Sequence, residues 1–111
     1  MGKKKFKSRN EFRYNNSSHH PNYVFGESEK NFHSLGLTHS DTTFGKKNMP
    51  LKNNPKKNST ESAYIRNGII TDKKQNYSRR PITNMSFSTS DFKNVKSKIR
   101  NYKKEHKRKS K

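Results

Sequence analysis

The chain has 111 residues, a formal net charge of +19, 23% hydrophobic residues and no cysteine. This length allows one small domain, and the missing thiols exclude disulfides, thiolate metal sites and cysteine nucleophiles. The charge calls for a polyanionic partner, whether nucleic acid, an anionic membrane face or an acidic protein polymer.

Leu, Ile, Val and Phe together supply about 15% of the residues, a share at which strongly charged chains remain unfolded. Ordering a residue costs roughly 1–2 kcal/mol of backbone entropy, and apolar burial returns only about 25 cal/mol per Å². The composition therefore predicts a mostly intrinsically disordered or extended chain that orders on its partner. No apolar run reaches the length of a membrane span, and "MGKKKFKSRN" has no apolar segment after its positive start, so an intracellular chain is expected.

Residues 1–22 mix lysine, arginine and asparagine with isolated aromatics, Phe6, Phe12 and Tyr14, and read as a basic disordered arm. Residues 23–49 hold Tyr23, Val24, Phe25, Phe32, Leu35 and Leu37, broken by Gly26 and Gly36, and read as an anchor segment. Pro50 and Pro55 stand among lysines and asparagines in 50–62, which reads as a linker. Residues 63–94 form a second anchor segment, in which Asn67-Gly68, bracketed by Ile65 and Ile69, predicts a short hairpin near 63–72.

Residues 91–111 have a different period. Phe92, Val95, Ile99 and Tyr102 fall at steps of three, four and three, which predicts a basic amphipathic helix over about 91–108. Ser90 is the expected cap, Asp91 suits the positive end of the helix dipole, and the lysines from Lys103 onward suit the negative end.

His19, His20, His33, His39 and His106 have neither a structural zinc spacing nor cysteine partners, so they read as solvated side chains. No phosphate-binding glycine loop, nucleophile elbow or paired acid site is present. The expectation is a non-enzyme with no cofactor and no metal.

The aromatics recur in a hydroxyl-rich setting. "SDTTFGKKN" at 40–48 and "SFSTSDFKN" at 86–94 each place Ser and Thr before a phenylalanine and end on lysine and asparagine. Fully extended, the chain between Phe44 and Phe92 would span roughly 160 Å, enough to cross several subunits of a polymer.

"LTHSDTTFGKKNMP" resembles the Thr-Ser-Asn-x-x-Tyr-Gly segment, followed by proline, of the piercer of microtubule wall family, small luminal proteins of ciliary doublet microtubules. Ser40, Asp41, Phe44, Gly45 and Pro50 are the matching positions, with Asp41 in place of Asn and Phe44 in place of Tyr. "AYIRNGIITDKKQN" is similar to the family's Gly-Met-Tyr-Arg-Asn segment through Tyr64, Arg66 and Asn67, with Ile65 inserted. "NMSFSTSDFKN" resembles the Asp-aromatic modules of axonemal microtubule stabilisers. The resemblance spans about 32–94, and the family does not account for so basic a tail.

The resemblance implies a structural microtubule inner protein of cilia or flagella, threaded along the tubulin wall in the axoneme. Its contacts would be Ser40, Asp41, Thr43, Phe44, Gly45, Tyr64, Arg66, Asn67 and Phe92, with Val95, Ile99 and Tyr102 on the helix. The alternative is an RNA-binding protein of the ribosome or nucleolus, whose basic ends neutralise phosphates. A basic amphipathic helix also suits a membrane surface or calmodulin, but its apolar face is thin for either role.

Overall fold

The computed structural model describes the backbone from Lys7 to Lys109 and side chains as far as Lys104. Three long strands, β1 (Lys7–Asn15), β2 (His20–Glu27) and β3 (Asn31–Thr38), run antiparallel in succession. A small hairpin of β4 (Thr42–Thr43) and β5 (Lys46–Lys47) follows, then a short β6 (Met49–Pro50). The ten-residue β7 (Tyr64–Lys73) precedes the helix α1 (Thr89–Lys109). The main sheet has the order β1-β2-β3-β7-β6 with every pairing antiparallel.

The sheet forms because alternate side chains divide between two faces. Phe12 lies opposite Tyr23, Tyr23 opposite Leu35, and Leu35 opposite Ile69. With Phe25, Leu37 and Ile65 they make an apolar face, and α1 covers it. Val95 is fully buried there, and Phe92, Ile99 and Tyr102 pack around it. Each of the three long pairings carries a register shift, at Ser8/Glu11, Val24/Gly26 and Leu35/Leu37. Such bulges bend and twist a sheet, here one that wraps a helix.

The opposite face is mainly polar. Val24, Phe32 and Tyr77 form a smaller cluster, in which the Tyr77 hydroxyl meets Ser34 Oγ at 2.9 Å. Arg13, Arg9 and Lys74 stand 5.1, 5.5 and 5.5 Å from the Phe32 ring centre, within cation–π range. Glu11 and Glu27 sit between these cations. Arg13 and Arg9 donate to Glu11, and Arg9 and Lys74 reach Glu27 at 3.1 and 2.9 Å.

Burial works against the charge of Glu11, but hydrogen bonds from Arg9 and Arg13 outweigh it and hold the carboxyl below its ordinary range. Glu27 is lowered chiefly by Lys74, with burial opposing and Arg9 assisting. Groups depressed in the folded state contribute stability that is complete above their unfolded pKa and is lost as pH falls through the folded one. The melting temperature should therefore hold near neutrality and drop from about pH 5 downward. Replacing Glu11 and Glu27 with glutamine should flatten that drop in a thermal scan.

The expectation of a mostly disordered or extended chain is overturned. Two physical features explain it. Tyrosines add to the core that Leu, Ile, Val and Phe supply, because Tyr23, Tyr77 and Tyr102 pack their rings against Phe12, Phe25, Phe32, Phe87 and Phe92. An antiparallel sheet also needs only one well-covered face, which a single helix supplies here.

The segment boundaries change with it. The basic arm at 1–22 contains β1, although residues 1–6 lie outside the described residues. The hairpin expected near 63–72 is instead the single strand β7. Asn67-Gly68 falls where two steps of β3, from Leu35 to Leu37, face four steps of β7, from Ile69 to Ile65. The dipeptide absorbs a bulge in place of a turn. An extended span between Phe44 and Phe92 is likewise excluded by a longest dimension of 47 Å.

The helix expected over 91–108 runs from Thr89 to Lys109, with the four apolar positions on the sheet side. Its cap is Ser88, two residues earlier than expected: the Asp91 N–H donates to Ser88 Oγ at 3.3 Å, and Ser90 lies inside the first turn. The side chains after Lys104, including His106 and the terminal lysines, lie outside the described residues.

Candidate functional site

Phe44 occupies the tip of the β4–β5 hairpin and is 92% exposed. Its φ is +54° and that of Gly45 is +79°. Two successive positive angles define the tight turn that suits right-twisted strands, and asparagine or glycine ordinarily fills the first position. A bulky aromatic there is strained as well as solvated. The fold sustains both costs at one residue.

Two amide side chains hold this tip rigid. Buried Asn48 donates through Nδ2 to the Ser40 carbonyl at 3.0 Å and to Thr43 Oγ1 at 2.8 Å, and its own N–H donates to the Asp41 carbonyl. Asn48 Oδ1 accepts the Asn67 N–H at 2.9 Å. Asn67 Nδ2 then donates to the carbonyls of Thr43 and Lys46, at 3.2 and 3.0 Å. The bulge in β7 is what frees Asn67 to reach the hairpin. Asn48 was not singled out by the sequence, where it is one asparagine among many.

Asn67 also lines a groove of about 260 Å³ between β7 and α1, together with Ile69, Lys98, Asn101 and Tyr102. The hairpin and the groove thus share a residue. Lys46 and Lys47 are exposed on the hairpin, and Lys98 stands partly exposed on the helix wall. Arg66, next to Asn67, lies across Gly36, where its Cδ is 3.0 Å from the point an added Cβ would occupy.

Of the residues singled out from sequence, Ser40, Asp41, Thr43, Phe44, Gly45, Arg66 and Asn67 come together in this region. Ser40 and Asp41 contribute backbone carbonyls to its bracing, with exposed side chains. Tyr64 is paired with Thr38 and Pro50 in the sheet. Phe92 lies elsewhere, half-buried, stacked on Phe87 at 6.2 Å and covered by Lys96 at 4.9 Å from the ring centre. Val95 and Ile99 belong to the core, and Tyr102 meets Phe25 edge-on beside the groove.

The distribution of charge is asymmetric. Glu11 and Glu27 are engaged by Arg9, Arg13 and Lys74. Asp72 is held below its ordinary pKa, first by Asn76 and against burial, with further help from Asn15 and the Lys73 N–H. Asp91 is buried and accepts the N–H groups of Lys52 and Asn53 at 2.9 and 3.0 Å. Four carboxylates thus serve the fold's own contacts, while Lys46, Lys47, Lys52, Lys56 and Lys57 are exposed.

A separate hollow of about 200 Å³ contains His39 and Glu61 with Tyr14 and His20. His39 and Glu61 approach at 3.4 Å with side chains 67% and 72% exposed. Solvent therefore reaches both. Among the described residues no three His, Cys, Asp or Glu side chains converge to hold a metal ion, and no helix is long and apolar enough to cross a membrane.

Comparison with known protein families, curated proteins and solved structures finds no match for this chain.

Proposed function

We propose that this protein is a non-catalytic nucleic-acid-binding domain, with RNA as its partner and the ribosome or nucleolus as its setting. The observation that carries the reading is the charge asymmetry: four of its eight carboxylates serve internal contacts, while lysines crowd the outer surface. A polyanion placed against that surface would release counterions and gain affinity without any enzymatic group.

The test is fluorescence anisotropy of the full chain with a labelled oligouridylate over a range of salt. About six phosphate contacts give a slope near −4 in a plot of log affinity against log salt, or roughly a 300-fold loss between 50 and 200 mM. Affinity that is absent, or indifferent to salt, would defeat the proposal.

A second reading is favoured by Phe44 itself. The same exposed ring and basic surroundings would suit an acidic protein polymer such as the tubulin wall, with Phe44 seated in a pocket of a subunit. It would act as a folded wall-bound protein of the axoneme, not a threaded one. Co-pelleting with assembled microtubules that is lost in Phe44→Ala would favour this reading over RNA.

A further inference from the structure

We infer that the Phe44 hairpin is a stacking finger for an unpaired base, and that it makes the domain select single-stranded over double-stranded nucleic acid. The inference rests on the nucleic-acid reading and specifies which form of nucleic acid the surface takes.

Three observations converge on it. Phe44 presents both faces of its ring to solvent, 92% exposed, from a tip braced by Asn48 and Asn67. A braced aromatic loses little freedom when a base stacks on it, and every base has a face to offer. Secondly, two cations follow the tip: Lys46 and Lys47 lie exposed on the hairpin's returning strand, where they can meet phosphates next to a stacked base.

Thirdly, Asn67, which braces the hairpin, also lines the groove between β7 and α1. Ile69 and Tyr102 offer apolar and aromatic surface, Asn101 an amide, and Lys98 a charge. This is the mixture that a neighbouring nucleotide requires: a stacking surface, a hydrogen-bonding group for a base edge, and a counter-charge for its phosphate. A duplex keeps its bases stacked on each other and offers Phe44 only backbone. The ring would then gain nothing from binding, and its solvation would go uncompensated.

The strained backbone at Phe44 supplies a control that still folds. Phe44→Asn converts the tip to Asn-Gly, the favoured pair for this turn, so the hairpin should be at least as well formed as in the native chain. Anisotropy is measured with an oligouridylate of about 12 nucleotides, within the footprint of single-strand-binding folds, and with an RNA duplex of equal length. The native chain should prefer the single strand. Phe44→Asn and Phe44→Leu should lose about tenfold to a hundredfold in affinity for the single strand, with no change for the duplex, and Phe44→Trp should retain binding.

Equal loss on both probes, or none on either while Lys46→Glu with Lys47→Glu weakens both, overturns the stacking finger and leaves the charge-driven reading standing. Full binding by Phe44→Leu overturns it too, since shape and hydrophobicity would then suffice. Failure of the native chain to bind either probe removes the nucleic-acid reading itself. If Phe44→Asn instead abolishes microtubule co-pelleting and leaves RNA binding intact, the ring belongs to a protein pocket and the inference falls.

Discussion

Asp91→Ala should lower the unfolding free energy by about 2–4 kcal/mol, read as a shift of the urea midpoint at unchanged slope. Asp91 is buried at the start of α1, and its two oxygens accept the N–H groups of Lys52 and Asn53. Alanine leaves both donors without that acceptor and removes a negative charge from the positive end of the helix dipole. It also releases the loop after β6 from the helix. Asp91→Asn keeps one carbonyl oxygen in place and should cost about half as much. If both variants unfolded within about 0.5 kcal/mol of the native chain, this carboxylate would not be the tie between loop and helix.

The helix was legible in the sequence and the sheet was not, for a reason that can be traced to single residues. Phe92, Val95, Ile99 and Tyr102 lie within one short window, so their period survives among the lysines. The strands offer no such window. In β2, Asn22, Tyr23, Val24 and Phe25 are all buried, so the alternation of polar and apolar that marks a half-exposed strand is missing. Each long pairing also has a register shift, which resets the two-residue period where it would have become visible.

The candidate site was half legible. Phe44 stood out because its neighbours are hydroxyls, and the structure places it at an exposed tip. What could not be read was the bracing. Asn48 and Asn67 acquire their roles from a bulge in β7, and only the folded register brings residues 19 positions apart into hydrogen-bonding distance. Asn67-Gly68 has good turn chemistry, but tertiary pairing of Ile69 and Ile65 with β3 overrode it. A local signal that can satisfy two backbone geometries is decided by the larger apolar contact.

This conflict also bears on function. A hairpin selected only for stability would hold Asn or Gly at position 44 and keep an aromatic ring out of water. The strain and the exposure fall on the same residue, at the point where hydrogen bonds from two amides prevent relaxation. Binding sites commonly retain such locally unfavourable choices.

Leu35→Ala should be among the most damaging single truncations, costing about 3–5 kcal/mol. Leu35 is fully buried at the centre of the sheet, opposite Tyr23 on one side and Ile69 on the other, beneath the helix. Strands on both sides fix its walls, so a cavity left there cannot collapse, and the cavity adds to the lost transfer energy. Val24→Ala, on the opposite face with Phe32 and Tyr77, removes less volume beneath a thinner cover and should cost about 2 kcal/mol. Since a domain of this size has a total stability of only about 5–15 kcal/mol, Leu35→Ala should also lower the melting temperature by many degrees. A chain that owed its order to a partner would respond otherwise: both substitutions would leave the isolated protein's circular dichroism unchanged, with no cooperative transition to shift. A sharp melt that moves further for Leu35→Ala than for Val24→Ala would place the source of order in the helix-covered face of the sheet.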